Sequence, residues 1–575
     1  MVAEKKINAS KNKRRDILSL VVLLAIIVLV NFIGTFYFKR FDLTSEKRYT
    51  LAESTRTLLK NLDDEVLFKV YFDGDFNPSF TRLKNEAKEI LDEFRAYSGN
   101  QIQYEFIVPG EGLNTDEKSA LEKQLYEKGL VPEQIYEKNK DKATQSLIWP
   151  GAIVSHKNKE AVWKIFNRQD NTDYEVSVNN SVKELEYSLT NTIRKLQRDK
   201  KQEVTFINGH YELDTLHIME FARALSEYYD VNRTPILGKL GALDQSDAIV
   251  IAGPDSAFSQ ADQYIIDQYI MRGGKVLWLV DPVGINRDTL LQKGFTLGLP
   301  RPLNLDNMLF KYGVRLNTEL LQDFQCASIP LNVGFTKGQP NFKLFPWPYA
   351  PLVLPDGNHP IVKNLDLIKL DYVSSIDTLT AKGIKKTILL STSRYTKITP
   401  SPARIYYSSV QIPPKESQFM NSYVPVACLL EGEFTSFAEN RMLSVFLTDS
   451  AFNAKHKYIE KGKKTKMIVV ADGDIARNDF IRMSNKPVPL GYDRATNQQY
   501  ANKTFLLNCV NYLLDDEGML QLRSREVTLR LLDKKKITTQ RGKWQMINVL
   551  MPVMLLILFG LIQFFLRKRK FAKQV

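Results

Sequence analysis

The chain has 575 residues, with 79 Lys and Arg against 65 Asp and Glu, for a formal net charge of +14. That length implies several domains, and a hydrophobic fraction of 44% with 11% aromatics excludes wholesale disorder. Three widely spaced cysteines (Cys326, Cys428, Cys509) and five histidines exclude a disulfide-framed scaffold and a multi-thiolate zinc module.

The first 16 residues carry Lys5, Lys6, Lys11, Lys13, Arg14 and Arg15 against Glu4 and Asp16. Residues 17–38 then run without a charge (ILSLVVLLAIIVLVNFIGTFYF). As a helix that run is about 33 Å long, enough to cross a hydrocarbon core of roughly 30 Å. It exceeds the apolar length of a signal peptide, and Phe36, Tyr37 and Phe38 stand where a cleavage site needs small residues. The reading is an uncleaved transmembrane helix.

Past the anchor, Thr50 is a candidate N-cap for a helix over 51–61. A strand follows at 65–72, then a helix at 79–97 whose Leu83, Ala87, Ile90, Leu91 and Phe94 recur at helical spacing. A strand at 102–108, a helix at 115–128, strands at 146–155 and 161–166, and a helix at 182–198 complete the segment. The order β-α-β-α-β-β-α matches a thioredoxin-like unit over 39–200. No cysteine precedes Cys326, so the redox chemistry of that fold is not expected.

A second α/β pattern begins at 201. Strands at 204–207, 248–251 and 275–280 alternate with helices at 216–229 and 260–271, the second closed by Gly273-Gly274. Such alternation predicts a parallel sheet of flavodoxin or amidotransferase type. Its first part is assigned to 201–327, and the proline-rich 328–440 to a β-rich insertion. The α/β domain is completed over 441–520 by a strand at 466–471 and a helix at 504–514. A charged membrane-proximal stalk is expected at 521–543, where the stretch 523–536 reads as solvated though close enough to lipid headgroups to touch them.

A second uncharged run spans 544–566 and contains Pro552. Behind it, residues 567–575 hold Arg567, Lys568, Arg569, Lys570 and Lys573 with no acid. Basic flanks mark the cytoplasmic side, so both termini are expected in the cytoplasm and residues 39–543 in the periplasm. Nine of the fourteen excess charges lie in the two tails, leaving +5 over 505 residues. The charge balance therefore describes topology rather than a nucleic-acid surface.

Motifs of catalysis are missing. There is no G-x-x-x-x-G-K-[ST], H-E-x-x-H, G-x-S-x-G or C-x-x-C. Cys428 and Cys509 sit in apolar contexts that suit a core. No catalytic residue, metal or cofactor is assigned, and the chain is not expected to be an enzyme. The best constellation is His210, Glu212, Asp255, Asp281, Asp472 and Asp474, all just past predicted strand ends. In an open α/β sheet that edge receives ligands, and such a group could hold a divalent cation or hydrogen-bond a sugar. The plainer reading of these residues is helix capping and tight turns.

Five segments together carry a resemblance: FDLTSEKRYTLAESTRTLLKNLDDEVLFKVYFDGDF (41–76), FINGHYELD (206–214), VPVACLLEGEFTSF (424–437), VVADGDIARNDF (469–480) and TFLLNCVNYLLDDEGMLQLRSREVTLRLLDK (504–534). With both anchors, they resemble the GldG family of gliding-motility-associated ABC transporter auxiliary proteins of Bacteroidota. The resemblance implies a bacterial inner-membrane accessory subunit working with a separate ABC permease and a cytoplasmic ATPase. It also implies that the 203–290 region is similar to a non-catalytic domain shared with intraflagellar-transport proteins and related to glutamine-amidotransferase-like folds. There a cysteine nucleophile would be expected, and none of the three cysteines follows the relevant strands. The expectation is a scaffold acting by protein–protein interaction. A module binding cell-envelope glycan through the loops after 207, 252 and 471 is the alternative, and a hydrolase stands behind both.

Overall fold

The computed structural model describes residues 18–29, 51–139, 142–168, 174–197, 200–336, 338–355, 357–363, 365–412, 414–439, 458–481, 484, 486–515 and 534–571. The chain divides into two compact units, Met1–Arg525 and Glu526–Val575.

Of the first predicted span, the described part is helix α1 (Leu18–Leu29), whose side chains are exposed. Ile17, residues 30–38, Arg14, Arg15 and the candidate cap Thr50 lie outside the described residues. Helix α2 (Glu53–Lys60) starts from Ala52, which offers no side-chain cap.

A four-stranded sheet follows. Strand β1 (Val66–Val70) buries Val66, Phe68 and Val70, the alternation expected of a pleated strand. Helix α3 (Pro78–Tyr97) begins where Asn77 accepts a hydrogen bond from Phe80 N at 3.1 Å, with Pro78 in the first turn, where its missing N–H costs nothing. Its Leu83, Ala87, Leu91 and Phe94 are fully buried. Strand β2 (Ile102–Phe106) pairs parallel to β1. Helix α4 (Thr115–Glu127) starts on a capping box between Asn114 and Glu117.

The single strand expected at 146–155 is two strands. Trp149-Pro150 ends β4 (Lys142–Ile148), which forms a hairpin with β3 (Glu133–Asn139), and β5 (Gly151–His156) starts afresh. The break falls at a residue that has no N–H for a ladder. Strand β5 pairs antiparallel with β1 and with β6 (Lys159–Lys164), giving the order β2-β1-β5-β6. Helix α5 (Tyr174–Gln197) packs on this sheet and starts eight residues before its expected position.

The main sheet has seven strands. Strand β7 (Glu203–Asn208) precedes α6 (Met219–Ser226) and β8 (Asp230–Pro235), which sequence reading does not anticipate. Next come β9 (Ala248–Ala252), α7 (Gln260–Met271) and β10 (Lys275–Leu279). All five residues of β9 are buried, as in a central strand covered on both faces.

From β10 the chain runs through β11 (Val283–Gly284), α8 (Arg287–Lys293), β12 (Phe295–Pro300), α9 (Asp306–Tyr312), β13 (Val314–Leu316) and β14 (Glu319–Asp323). A long hairpin, β15 (Cys326–Thr336) and β16 (Gln339–Val353), is followed by β17 (Ile368–Lys369), β18 (Ile376–Thr378), β19 (Ile384–Ser391), β20 (Thr396–Pro400), β21 (Ala403–Tyr406) and β22 (Pro425–Thr435). Strand β23 (Lys461–Val470) and helix α10 (Asn502–Leu514) complete the layer.

The strand order is β19-β22-β23-β10-β9-β7-β8. Strands β23, β10, β9, β7 and β8 run parallel to one another, whereas β22 is antiparallel to both β23 and β19. The expectation of a parallel sheet is therefore corrected to a mixed one. The physical reason is that residues 425–435 are not peripheral: VACLL is buried without a break against β23, so this part of the proline-rich region forms core sheet. Cys428 and Cys509 are both fully buried in the same apolar core.

The second unit is described over one helix, α11 (Lys534–Phe571), which carries Pro552 inside it. Within it lies the apolar span Thr539–Leu566, whose most apolar 18 residues have a mean hydropathy of 2.6 and are not buried in the protein. Among the described residues it is the one helix long and apolar enough to cross a membrane, which suggests membrane anchoring. Residues 534–543, expected as a stalk, are helical and continuous with it, and 516–533 lie outside the described residues. Arg567, Lys568, Arg569 and Lys570 fall in its last turns.

Candidate functional site

The mixed sheet brings the C-terminal ends of four adjacent parallel strands, β23, β10, β9 and β7, to one edge. Every residue singled out in the sequence lies just past one of them: His210 and Glu212 after β7, Asp255 after β9, Asp281 after β10, Asp472 and Asp474 after β23. They form two clusters rather than one.

The first is built on Asp281, Asp472 and Asp474. The Gly473 N–H donates to Asp281 Oδ1 at 2.7 Å, and Asp281 Oδ2 lies 3.3 Å from Arg301 Nη1. Burial, then the nearby Asp474 charge, raise the Asp281 carboxyl to about 7 against the pull of Arg301. Asp472 is fully buried. Its Oδ2 accepts from Asp371 N at 2.8 Å, and its Oδ1 has no hydrogen-bond partner. Burial and the surrounding Asp281, Asp474 and Asp371 push its carboxyl well above the usual range, which favours the neutral acid.

Asp474 goes the other way. Burial alone would raise it, but Arg287 Nη2 at 2.6 Å and Arg477 Nη1 at 3.4 Å hold its carboxyl below the ordinary value. Arg287 also faces Asp371 Oδ2 at 3.6 Å and stands 5.3 Å over the Tyr372 ring. Lys369 Nζ approaches Asp371 at 3.8 Å and Asp493 at 3.9 Å. Asp255, the most exposed of the predicted residues, meets Arg301 Nε at 2.7 Å. Gly473 permits this crowding, since a Cβ there would stand 2.7 Å from both Asp281 Oδ2 and Gly253 Cα.

His210 centres the second cluster. Its Nδ1 lies 3.2 Å from Glu212 Oε1 and its Nε2 3.1 Å from Asp262 Oδ2. Its ring stacks on Phe258 at 3.7 Å. Burial lowers its affinity for a proton, but its hydrogen bonds to Asp262 and Glu212 win and raise it to about 9. Glu212 Oε2 also accepts from His210 N at 2.8 Å. Asp262 accepts from Gly238 N at 2.6 Å and from Ser259 Oγ at 2.7 Å. The clusters touch through backbone, where Asp255 N donates to His210 O at 2.9 Å.

In chemical terms the edge is largely self-paired. Its ionised carboxylates face Arg287, Arg301, Arg477, Lys369 or His210, and among the described residues no group of three or more His, Cys, Asp or Glu is placed to hold a metal ion. Burial raises the Cys326 thiol to about 12 and Cys428 to about 11, and raises Cys509 well above its ordinary value, so none is a ready thiolate. His217 is engaged by Asp214 at 2.7 Å and Arg477 at 3.2 Å. Sequence reading missed Arg287, Arg301, Asp371, Lys369 and Asp262. Asp262 carries a signal, since it stands three residues after the N-cap Ser259. Arg287 and Arg301 reach the edge from the segment that follows β10, where no periodicity points to them.

These features define an α/β protein with a charge-compensated strand-end edge and a chain equipped for membrane anchoring. A family model described as an ABC-type uncharacterized transport system matches residues 201–509, more than half of the chain. The chain belongs to this family of ABC transport auxiliary proteins, and membership implies association with an ABC transporter in an accessory role. A second model, of a domain of unknown function, matches residues 45–155. No curated protein matches the sequence. Among solved structures, the mmIFT52 N-terminal domain is 12% identical with a TM-score of 0.31, covering 54% of this chain and 97% of that one. A putative ThuA-like protein from Parabacteroides merdae is 10% identical with a TM-score of 0.26, covering 58% of this chain and 93% of that one. The exo-β-1,4-mannosidase Op5Man5 from an Opitutaceae bacterium is 10% identical with a TM-score of 0.21, covering 57% and 38%.

Proposed function

We propose that this protein is a non-catalytic, membrane-anchored accessory subunit that binds an ABC permease and its cytoplasmic ATPase, and that the complex serves bacterial gliding motility. The observation that carries the non-catalytic part is the self-pairing of the sheet edge: its ionised carboxylates are answered by Arg287, Arg301, Arg477 and His210, and of the three cysteines Cys428 and Cys509 are buried and Cys326 is half-buried. The gliding role rests on the resemblance to the GldG family of Bacteroidota. In this reading both termini are cytoplasmic, two helices span the inner membrane, and residues 39–543 are periplasmic. The order β2-β1-β5-β6, with β1 and β2 parallel and β5 antiparallel to both its neighbours, supports a thioredoxin-like scaffold. The five parallel strands support a flavodoxin or amidotransferase-like layer. A tagged chain purified from native membranes in mild detergent is expected to bring down a permease and an ATPase in fixed ratio. Recovery of the chain alone, from membranes where both are expressed, overturns the proposal.

One observation favours a second reading, recognition of envelope glycan. Tyr211 is 82% exposed beside the edge and held at φ 56, a left-handed conformation that costs a bulky residue energy. An exposed aromatic ring suits stacking on a sugar. Binding of a glycan panel by the full chain, lost on Tyr211→Ala, would support it, and no binding at all removes it.

A further inference from the structure

Helix α11 carries a polar side chain inside its apolar length and a break in its backbone ladder, and the two coincide. Pro552 stands within the helix and has no N–H, so the carbonyl of Asn548, four residues earlier, loses its helical donor. The Asn548 side chain is exposed, and its carboxamide makes no hydrogen bond among the described residues. Asn548 lies one turn inside Trp544, whose ring suits a membrane interface. Gln545 and Gln563, the other carboxamides of the uncharged run 544–566, stand nearer its two ends.

Asn548 also sits on a seam. At about 100° per residue, Asn548, Pro552, Leu555, Phe559, Ile562 and Leu566 fall within a stripe about 80° wide. Their spacing alternates between four and three residues, as do the a and d positions of a coiled coil. Along this stripe Pro552, Leu555, Phe559 and Ile562, with Leu556 and Leu558 as shoulders, line a groove of about 620 Å³. Acyl chains can cover an apolar groove, since lipid is as apolar as leucine. They cannot satisfy the amide or the freed carbonyl, because hydrocarbon offers neither donor nor acceptor. A carboxamide is its own complement, with two N–H groups to give and an oxygen to receive. A second copy of the chain inserts in the same direction, so its Asn548 arrives at the same depth.

We propose that α11 pairs in parallel with α11 of a second copy of this chain, along the seam from Asn548 to Leu566. Across the two-fold axis each Asn548 carboxamide donates one N–H to the Asn548 oxygen of the other copy. Its second N–H remains for a carbonyl that Pro552 leaves open. Below that level the grooves and ridges of the two seams interlock. A single buried Asn in such a seam fixes register and favours two strands. The pairing goes beyond the accessory role argued above and requires neither permease nor ATPase.

The test is disulfide cross-linking of the full chain in liposomes, without ABC partners. Leu555→Cys and Ile562→Cys lie on the seam, and Ile557→Cys and Leu561→Cys on the opposite face. Cys428 and Cys509 are buried and Cys326 is half-buried, and the unsubstituted chain sets the background. Under mild oxidant both seam variants are expected to give several times more covalent dimer than either opposite-face variant. Adding Asn548→Leu is expected to weaken pairing about threefold or more, whereas Asn548→Gln, which keeps the carboxamide, retains most of it. Cross-linking no greater at 555 and 562 than at 557 and 561 overturns the proposal. So does seam cross-linking that Asn548→Leu leaves unchanged. A seam that gives no dimer in liposomes, yet is shielded from a lipid-soluble thiol reagent in native membranes holding the permease, also overturns it and assigns the seam to that partner.

Discussion

The two clusters at the end of the main sheet hold buried charge in different ways. The His210 cluster is short-range: one imidazolium between Glu212 and Asp262, two and 52 residues away in the chain. The aspartate cluster is long-range: Gly473 reaches Asp281 across 192 residues, Arg287 reaches Asp474 across 187, and Asp472 holds the backbone of Asp371 across 101. The first needs only β7, α7, their loops and the turn at Gly238 after β8. The second exists only when β10, β23 and the segment from α8 to β17 are all in place. One therefore braces a loop, and the other clasps the sheet to the β-rich segment laid across its edge.

The comparison breaks most severely at Arg287. Arg287→Ala leaves Asp474 and Asp371 without their shared cation, and a loss of about 3 kcal/mol is expected by thermal or denaturant unfolding. Lower pH should recover part of it by protonating those acids. Gly473→Ala should cost about 2 kcal/mol, because its Cβ would overlap Asp281 and the Gly253 backbone. Asp262→Asn, in the short-range cluster, should cost about 1–2 kcal/mol and return His210 toward an ordinary titration, readable by NMR. At the small end, Asp255→Ala should change stability by less than about 0.5 kcal/mol, since that ion pair is open to solvent.

pH separates the clusters further. Asp281 titrates near 7 when folded against 3.8 ordinarily, so the fold prefers its neutral form. Its contribution is full below about pH 4 and is lost as pH rises toward 7. His210 titrates near 9 against 6.5, so its contribution is full below 6.5 and is lost as pH rises through 9. The contributions of these two groups to unfolding free energy should therefore be lost in two stages. Asp281→Asn should flatten the first and His210→Gln the second. A profile that either variant leaves unchanged contradicts the assignment of that stage.

How much of this was legible in the sequence depends on range. Helix α7 and strands β7, β9 and β10 lie within a residue or two of their expected places, because each announces itself by local periodicity and a cap or turn. The position of all six candidate residues past strand ends follows from the same pattern. Strand β8 (DVNRTP) is polar and half-buried, and offered no apolar run to detect. The antiparallel pair β19 and β22 was hidden among prolines, where composition suggested an irregular insertion and pairing with β23 decided otherwise. Asp371, Arg287 and Arg301 reach the edge only through tertiary structure. What looked like one acidic ligand set was half of a set of ion pairs.

The most direct measurement concerns Asp472. As a neutral, buried acid in the proposed accessory subunit, Asp472 can be replaced by Asn with little change in shape or charge. In the complex purified from native membranes, Asp472→Asn is expected to retain the ABC partners and ATP hydrolysis at the level of the unsubstituted protein. A folded Asp472→Asn complex with its partners in place and hydrolysis abolished would contradict it, and would make the carboxylate part of the working site.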